Sequence, residues 1–122
     1  MIRNQTRNNI LSRRPYFATG LWDRTRGMIG RDFAKFAFDS MVFPRCNAIH
    51  TFFMNCALDV LFLDRENTVV FLTEHLKPWC PCVRRSDACT VVELPAGAIA
   101  ETHIALGDKL DLSAMEDPES KI

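Results

Sequence analysis

Three polar side chains interrupt otherwise apolar stretches. His50 opens the run His50-Thr51-Phe52-Phe53-Met54, Asp59 lies inside Leu58-Asp59-Val60-Leu61-Phe62-Leu63, and Glu93 follows Thr90-Val91-Val92. An unpaired polar group in such surroundings costs roughly 1 to 3 kcal/mol, so each of the three needs a partner. A histidine beside a carboxylate titrates near neutrality, and His50 with Asp59 or Glu93 would then supply acid, base or ligand-orienting chemistry to a hydrolase-like enzyme. The competing account is a satisfied core hydrogen bond or a strand-end contact. The sequence favours that account, because no nucleophile motif accompanies these residues.

His75, Cys80, Cys82 and Cys89 lie close together and offer one nitrogen and three sulfurs, a ligand set that suits tetrahedral zinc. Only Pro81 separates Cys80 from Cys82, whereas structural zinc sites usually pair cysteines two to four residues apart. A surface loop with redox-sensitive or incidental thiols is the alternative. No cofactor is expected, and zinc at these four residues is the one that the ligand chemistry leaves open.

The chain has no G-x-S-x-G elbow, phosphate-binding glycine loop, dinucleotide fingerprint or helical H-E-x-x-H. The common enzyme classes therefore lose support. What remains foremost is a non-enzymatic β module that binds a small molecule or a protein partner through the surface around His50, Met54 and Trp79. Trp79 beside Pro78 in a loop is placed to line a pocket, while the other aromatics read as core.

The elements that must position these groups are mainly strands. Residues 49–54, 58–63 and 68–72 are β runs, expected as three consecutive antiparallel neighbours, with a polar turn at Asp64-Arg65-Glu66-Asn67. If Asn55, Cys56 and Ala57 form a three-residue hairpin loop, Met54 pairs with Leu58 and His50 with Phe62, which puts His50 and Asp59 on opposite faces. A bulge would bring them together again. The run 58–63 is apolar on both faces apart from Asp59, so it should be central and covered on both sides.

Short strands are also expected at 10–11, 16–18, 90–94 and 109–112, with β structure in the aromatic-rich segment from Phe33 to Phe43 around a turn at Asp39 and Ser40. The spacing of Leu21, Trp22, Met28 and Ile29 predicts a helix of about two turns that Gly30 ends, and residues 97–104 predict a short second one. The fold class is a compact antiparallel β-sandwich or barrel with one or two short helices. It occupies residues 1–114 as a single domain, followed by an acidic tail at 115–122.

At 122 residues, with 48% hydrophobic and 25% charged residues, the chain has the size and composition of one ordinary folded domain. Net charge is zero, yet among residues 1–31 seven arginines face only Asp23, and the chain from residue 101 onward is acidic. The arginine spacing is too loose for a nucleic-acid groove with interleaved stacking aromatics, so no nucleic-acid partner is expected. No apolar stretch approaches the ~20 residues of a membrane helix, and residues 1–14 lack the apolar region of a signal peptide. Five cysteines, an odd number, argue against a disulfide framework. A soluble cytoplasmic protein with reduced thiols and no membrane association is the expectation.

Four blocks in register carry a resemblance: Arg24-Thr25-Arg26-Gly27-Met28-Ile29-Gly30-Arg31, His50-Thr51-Phe52-Phe53-Met54, Leu58-Asp59-Val60-Leu61-Phe62-Leu63-Asp64, and Glu93-Leu94-Pro95-Ala96-Gly97 followed by Gly107-Asp108. In them the chain resembles the uncharacterised bacterial family known as domain of unknown function 192. The resemblance implies a β-sandwich or barrel with a helix or two, and it brings no established activity or cofactor. Physically, Pro95 should stop its strand, Gly97 should take a positive φ or allow close chain approach, and the Glu93 carboxylate should accept nearby backbone N–H groups.

Overall fold

The computed structural model describes residues 1–18, 38–49, 56–79 and 82–112. In chain order they form strands β1 (Ile2–Asn4), β2 (Asn9–Ser12), β3 (Pro15–Phe17), β4 (Ser40–Pro44), β5 (Ala48–Ile49), β6 (Leu58–Leu63), β7 (Val69–Leu76), β8 (Val83–Arg84) and β9 (Thr90–Pro95). Helix α1 (Ala98–Thr102) and strand β10 (Leu110–Asp111) complete them. The helix expected near Leu21, the segment 50–54 and the acidic tail lie outside the described residues.

A five-stranded sheet in the order β3-β4-β9-β6-β7 is the frame, accompanied by a three-stranded sheet β10-β1-β2 and a two-stranded sheet β5-β8. Among the described residues nothing closes into a barrel, and β3 and β7 stand at the two ends of the large sheet's strand order. Its central strands are the most apolar. Every residue of β6 is buried, as is every residue of β9 except Pro95. Alternation along these strands divides the core in two. On one face Leu61, Leu63, Val92 and Leu94 pack with Ile2, Leu110 and Ile99, so the small sheet and α1 cover that face. On the other, Val60, Phe62, Val91, Met41 and Phe43 pack with Ile49 and Val83 of the two-stranded sheet.

The expected order of neighbours requires one correction. β6 pairs with β7 on one side and with β9 on the other along its whole length, so the consecutive order expected for 49–54, 58–63 and 68–72 does not extend to Ile49, and 50–54 lie outside the described residues. Ile49 pairs with Val83 instead, and Phe62 lies opposite Phe71 and Val91 where His50 was expected. The hairpin loop expected at Asn55, Cys56 and Ala57 lies partly outside the described residues. Antiparallel pairing holds except between β3 and β4, which run parallel, Phe17 opposite Val42. Residues 18–39 between them are long enough for the crossover that a parallel pair requires.

Local chemistry sets the remaining turns. Asp64 Oδ1 accepts the N–H groups of Glu66 and Thr68, and Asn67 takes φ 62°, a conformation asparagine tolerates, which closes the β6–β7 hairpin. Gly97 has φ 99° and opens α1 directly after Pro95, as expected.

Candidate functional site

Pro44 ends β4 and Arg45 follows at φ 53°, turning the chain so that the Cys46 N–H donates to the Cys89 carbonyl at 3.0 Å. The Cys46 thiol donates to Ala48 O at 3.1 Å, and the Arg85 N–H donates to Asn47 O at 2.9 Å beside the Ala48–Arg84 pair of the two-stranded sheet. A tight turn from Arg85 to Ala88 then returns the chain to Cys89, whose N–H donates to Leu63 O at 2.8 Å. These bonds leave an open pocket of about 400 Å³ lined by Arg45, Cys46, Asn47, Ala48, Ala88 and Cys89. That volume suits a small ligand. Arg84 and Arg85 stand close by on β8 and the turn, against Asp87. The Arg85 guanidinium lies 4.7 Å from the Phe71 ring centre and 3.8 Å from Asp87, a loose, half-exposed ion pair.

Asp59, Glu93 and His75 occupy different environments. Asp59 is fully buried, on the face covered by α1. Its Oδ1 accepts the His75 N–H at 2.8 Å, and its Oδ2 accepts the N–H groups of Gly97 at 3.0 Å and Ile99 at 2.9 Å. The register steps from Leu58–Leu76 to Val60–Thr73, so Glu74 and His75 bulge opposite Asp59, and the carboxylate satisfies an N–H that the ladder leaves over. Asp59 thereby ties β6, the β7 bulge and the start of α1 together.

Glu93 lies on the opposite face of the large sheet, between Val60 of β6 and Met41 of β4. It is 4% exposed, and its Oε2 has no hydrogen-bond partner. None of the backbone donors expected for this carboxylate reaches Oε2. Burial pushes its pKa up to about 8, so the group keeps its proton at neutral pH. Asp59 and Glu93 consequently belong to no common cleft. His50 and Met54 lie outside the described residues. Trp79, 58% exposed at φ 67°, is not among the residues lining the pocket.

The residues expected to hold zinc are also spread out. His75 meets β6 at Asp59 from the β7 side, whereas Cys89 meets it at Leu63 from the β9 side. Four residues of strand separate those levels, about 13 Å, too far for both to bind one ion. Among the described residues no three His, Cys, Asp or Glu side chains are grouped to hold a metal, and Cys80 lies outside them.

Two features escaped the sequence. Arg45, Cys46 and Asn47 carry no local motif, and Cys46 meets Cys89 only through the ending of β4 beside β9. Asp108, which the sequence marks only as following Gly107, is buried and accepts Asn4 Nδ2 at 2.9 Å, Arg7 Nε at 2.7 Å and the Ala105 N–H at 3.1 Å. Burial opposes its ionisation, but these hydrogen bonds and the Arg7 charge outweigh it and hold the carboxyl below its ordinary pKa.

The family DUF192, described as an uncharacterized ACR, matches residues 4–112. A UPF0127 protein of the archaeon Thermococcus sibiricus is 31% identical over 121 residues, which span 96% of this chain and 77% of that protein. A UPF0127 protein of Pyrococcus abyssi is 44% identical over 68 residues, 55% of this chain and 57% of its own length. Among solved structures, a protein of unknown function from Novosphingobium aromaticivorans superposes with a TM-score of 0.66 at 19% identity, covering 80% of this chain and 73% of that one. A candidate transcription regulator from Sinorhizobium meliloti gives 0.70 at 22% identity, covering 80% and 79%. At these identities the structural likeness concerns the fold alone.

Proposed function

Since the chain belongs to the DUF192 family, which supplies a fold but no activity, we propose from the geometry that it is a non-enzymatic binding module taking a small organic anion in the Arg45–Cys89 pocket. The observation that carries this reading is the pocket itself: about 400 Å³, open to solvent, with Arg45, Asn47 and two cysteines among the residues of its wall. Arg84 and Arg85 bias the local field further toward anions. Ala48 in the pocket wall leads through Ile49 into His50, so the surface anticipated around His50 and Met54 is continuous in sequence with the pocket. None of the four described cysteines is in a disulfide, which supports a reducing, cytoplasmic setting.

The test is a titration of the protein with a panel of small di- and tricarboxylates and inorganic phosphate, followed by amide chemical shifts. Binding should perturb residues 45–48 and 88–89 and weaken about tenfold in Arg45→Gln. Saturable shifts elsewhere, or an unchanged affinity in the variant, would move the site.

Glu93 favours a second reading, in which the protein is an enzyme. A neutral carboxylic acid, buried and without a partner on Oε2, is a poised proton donor. Asp59 drops out of that reading because both of its oxygens already accept backbone N–H groups. Any turnover found in a substrate screen should vanish in Glu93→Gln while the fold at pH 7 persists; retained turnover would remove Glu93 from the chemistry.

A further inference from the structure

We infer that Cys46 and Cys89 are a dithiol pair that exchanges with low-molecular-weight disulfides entering the pocket, forming a reversible Cys46–Cys89 disulfide. The single Cys46 N–H to Cys89 O bond of 3.0 Å limits the separation of their Cα atoms to about 7 Å, and typical hydrogen-bond angles bring it nearer 5.5 Å. That is the span a disulfide bridges, about 4.4 to 6.8 Å. Both residues are half-buried, both line the pocket, and neither is in a disulfide. Arg45 in the wall, with Arg84 and Arg85 nearby, gives the entrance a charge that draws disulfides carrying carboxylates. The inference goes beyond anion binding, because it needs only the two thiols and access to them.

The exchange balances with the small disulfide as oxidant. The Cys46 S–H is engaged with the Ala48 carbonyl, so the structure assigns the first attack to Cys89. The Cys89 thiol gives up its proton to solvent and the thiolate attacks one sulfur of R–S–S–R; a new S–S bond forms, the old one breaks, and one thiolate R–S⁻ leaves to take up a proton from solvent. Cys46 then gives up its proton to solvent, and its thiolate attacks the Cys89 sulfur of the mixed disulfide. The intramolecular bond forms and the second R–S⁻ leaves. Two thiols of the protein are oxidised and one small disulfide is reduced to two thiols.

The experiment incubates the native full-length chain with oxidised and reduced glutathione at graded ratios. Free thiols are then alkylated at low pH, and the digest is read by mass spectrometry. The expected result is a linked peptide pair, Cys46 to Cys89, that accumulates as the ratio becomes more oxidising, disappears with excess reduced glutathione and raises the melting temperature of the intact protein. In Cys46→Ser the expected product is glutathione retained on Cys89. If that variant fails to fold, the wild-type linkage decides alone. Glutathione scattered over Cys56, Cys80 and Cys82 without the Cys46–Cys89 link, or a link that forms only in denaturant, would overturn the inference. Anion binding is scored separately, with ligands that contain no sulfur.

Discussion

Two acidic residues on the large sheet show how one residue type takes opposite roles. Asp59 is surrounded by donors: Asp59→Ala would strand the N–H groups of His75, Gly97 and Ile99, and the expected cost is roughly 3 to 5 kcal/mol in urea unfolding. A cost below about 1 kcal/mol would mean that water takes over those donors. Glu93 lacks any such donor on Oε2, so its proton replaces them. Its pKa rises from 4.5 in the unfolded chain to about 8 in the native one, so between those values the native state binds more protons than the unfolded state. Stability is therefore full below about pH 4.5 as far as this group is concerned, and is lost as pH rises toward 8, by on the order of 4 kcal/mol. Urea unfolding of Glu93→Gln from pH 5 to pH 8 should lack that fall; a wild-type curve equally flat would show that the carboxyl is hydrated. Both residues stood out in the sequence as polar breaks in apolar runs. What the sequence did not reveal was their partners, because the Asp59 donors come from a bulge and a helix start fixed only by tertiary register.

At the scale of elements, strands were legible where composition was decisive and illegible where pairing decided. β6 is apolar enough and β9 β-branched and apolar enough to be identified alone, and Asp64 to Asn67 announces its own turn. β1, Ile2–Asn4, and β8, Val83–Arg84, carry no comparable signal; they exist because β10, β2 and β5 lie beside them. The neighbour expected for β6 from 49–54 was supplanted for a related reason. Two apolar runs joined by three residues suit a hairpin, but β9, whose first residue follows that of β6 by more than thirty positions, takes the second edge of β6 along its whole length. Gly97 offers a test at this scale. At φ 99° an added Cβ meets no neighbour within 4 Å, so the cost of Gly97→Ala is conformational rather than steric. It should destabilise by about 1 to 3 kcal/mol in thermal or urea unfolding, and a neutral result would show that the start of α1 adjusts freely.

Closure of the whole molecule depends on a polar clamp as well as on its apolar layers. The small sheet joins the first strand to the last described one, Arg3 opposite Asp111 and Asn4 opposite Leu110, while the bridge from Thr68 to Lys109 fastens it to the large sheet's β6–β7 turn. Asp108 sits where these meet. One of its oxygens collects Asn4, Arg7 and the Ala105 N–H, drawing a contact from one end of the described fold to the other. Removal of the carboxylate in Asp108→Ala leaves the Asn4 amide without its acceptor and Arg7 without its counter-charge, so a loss of roughly 2 to 4 kcal/mol is expected. The pH dependence has the sign opposite to that of Glu93. The native pKa is depressed, so the contribution of Asp108 is present above its ordinary pKa of 3.8 and disappears as pH falls below that value through the native one. Asp108→Asn lacks this titration, so its stability should fall less steeply with acid than that of the native protein, and the difference between the two, full near neutrality, should shrink as pH drops below 3.8. Hydrogen exchange separates this role from a local one. If the clamp closes the molecule, the variant raises exchange of β1, β2 and β10 amides together while β6 and β9 stay protected, and an increase confined to residues 105–109 would reduce Asp108 to a turn residue.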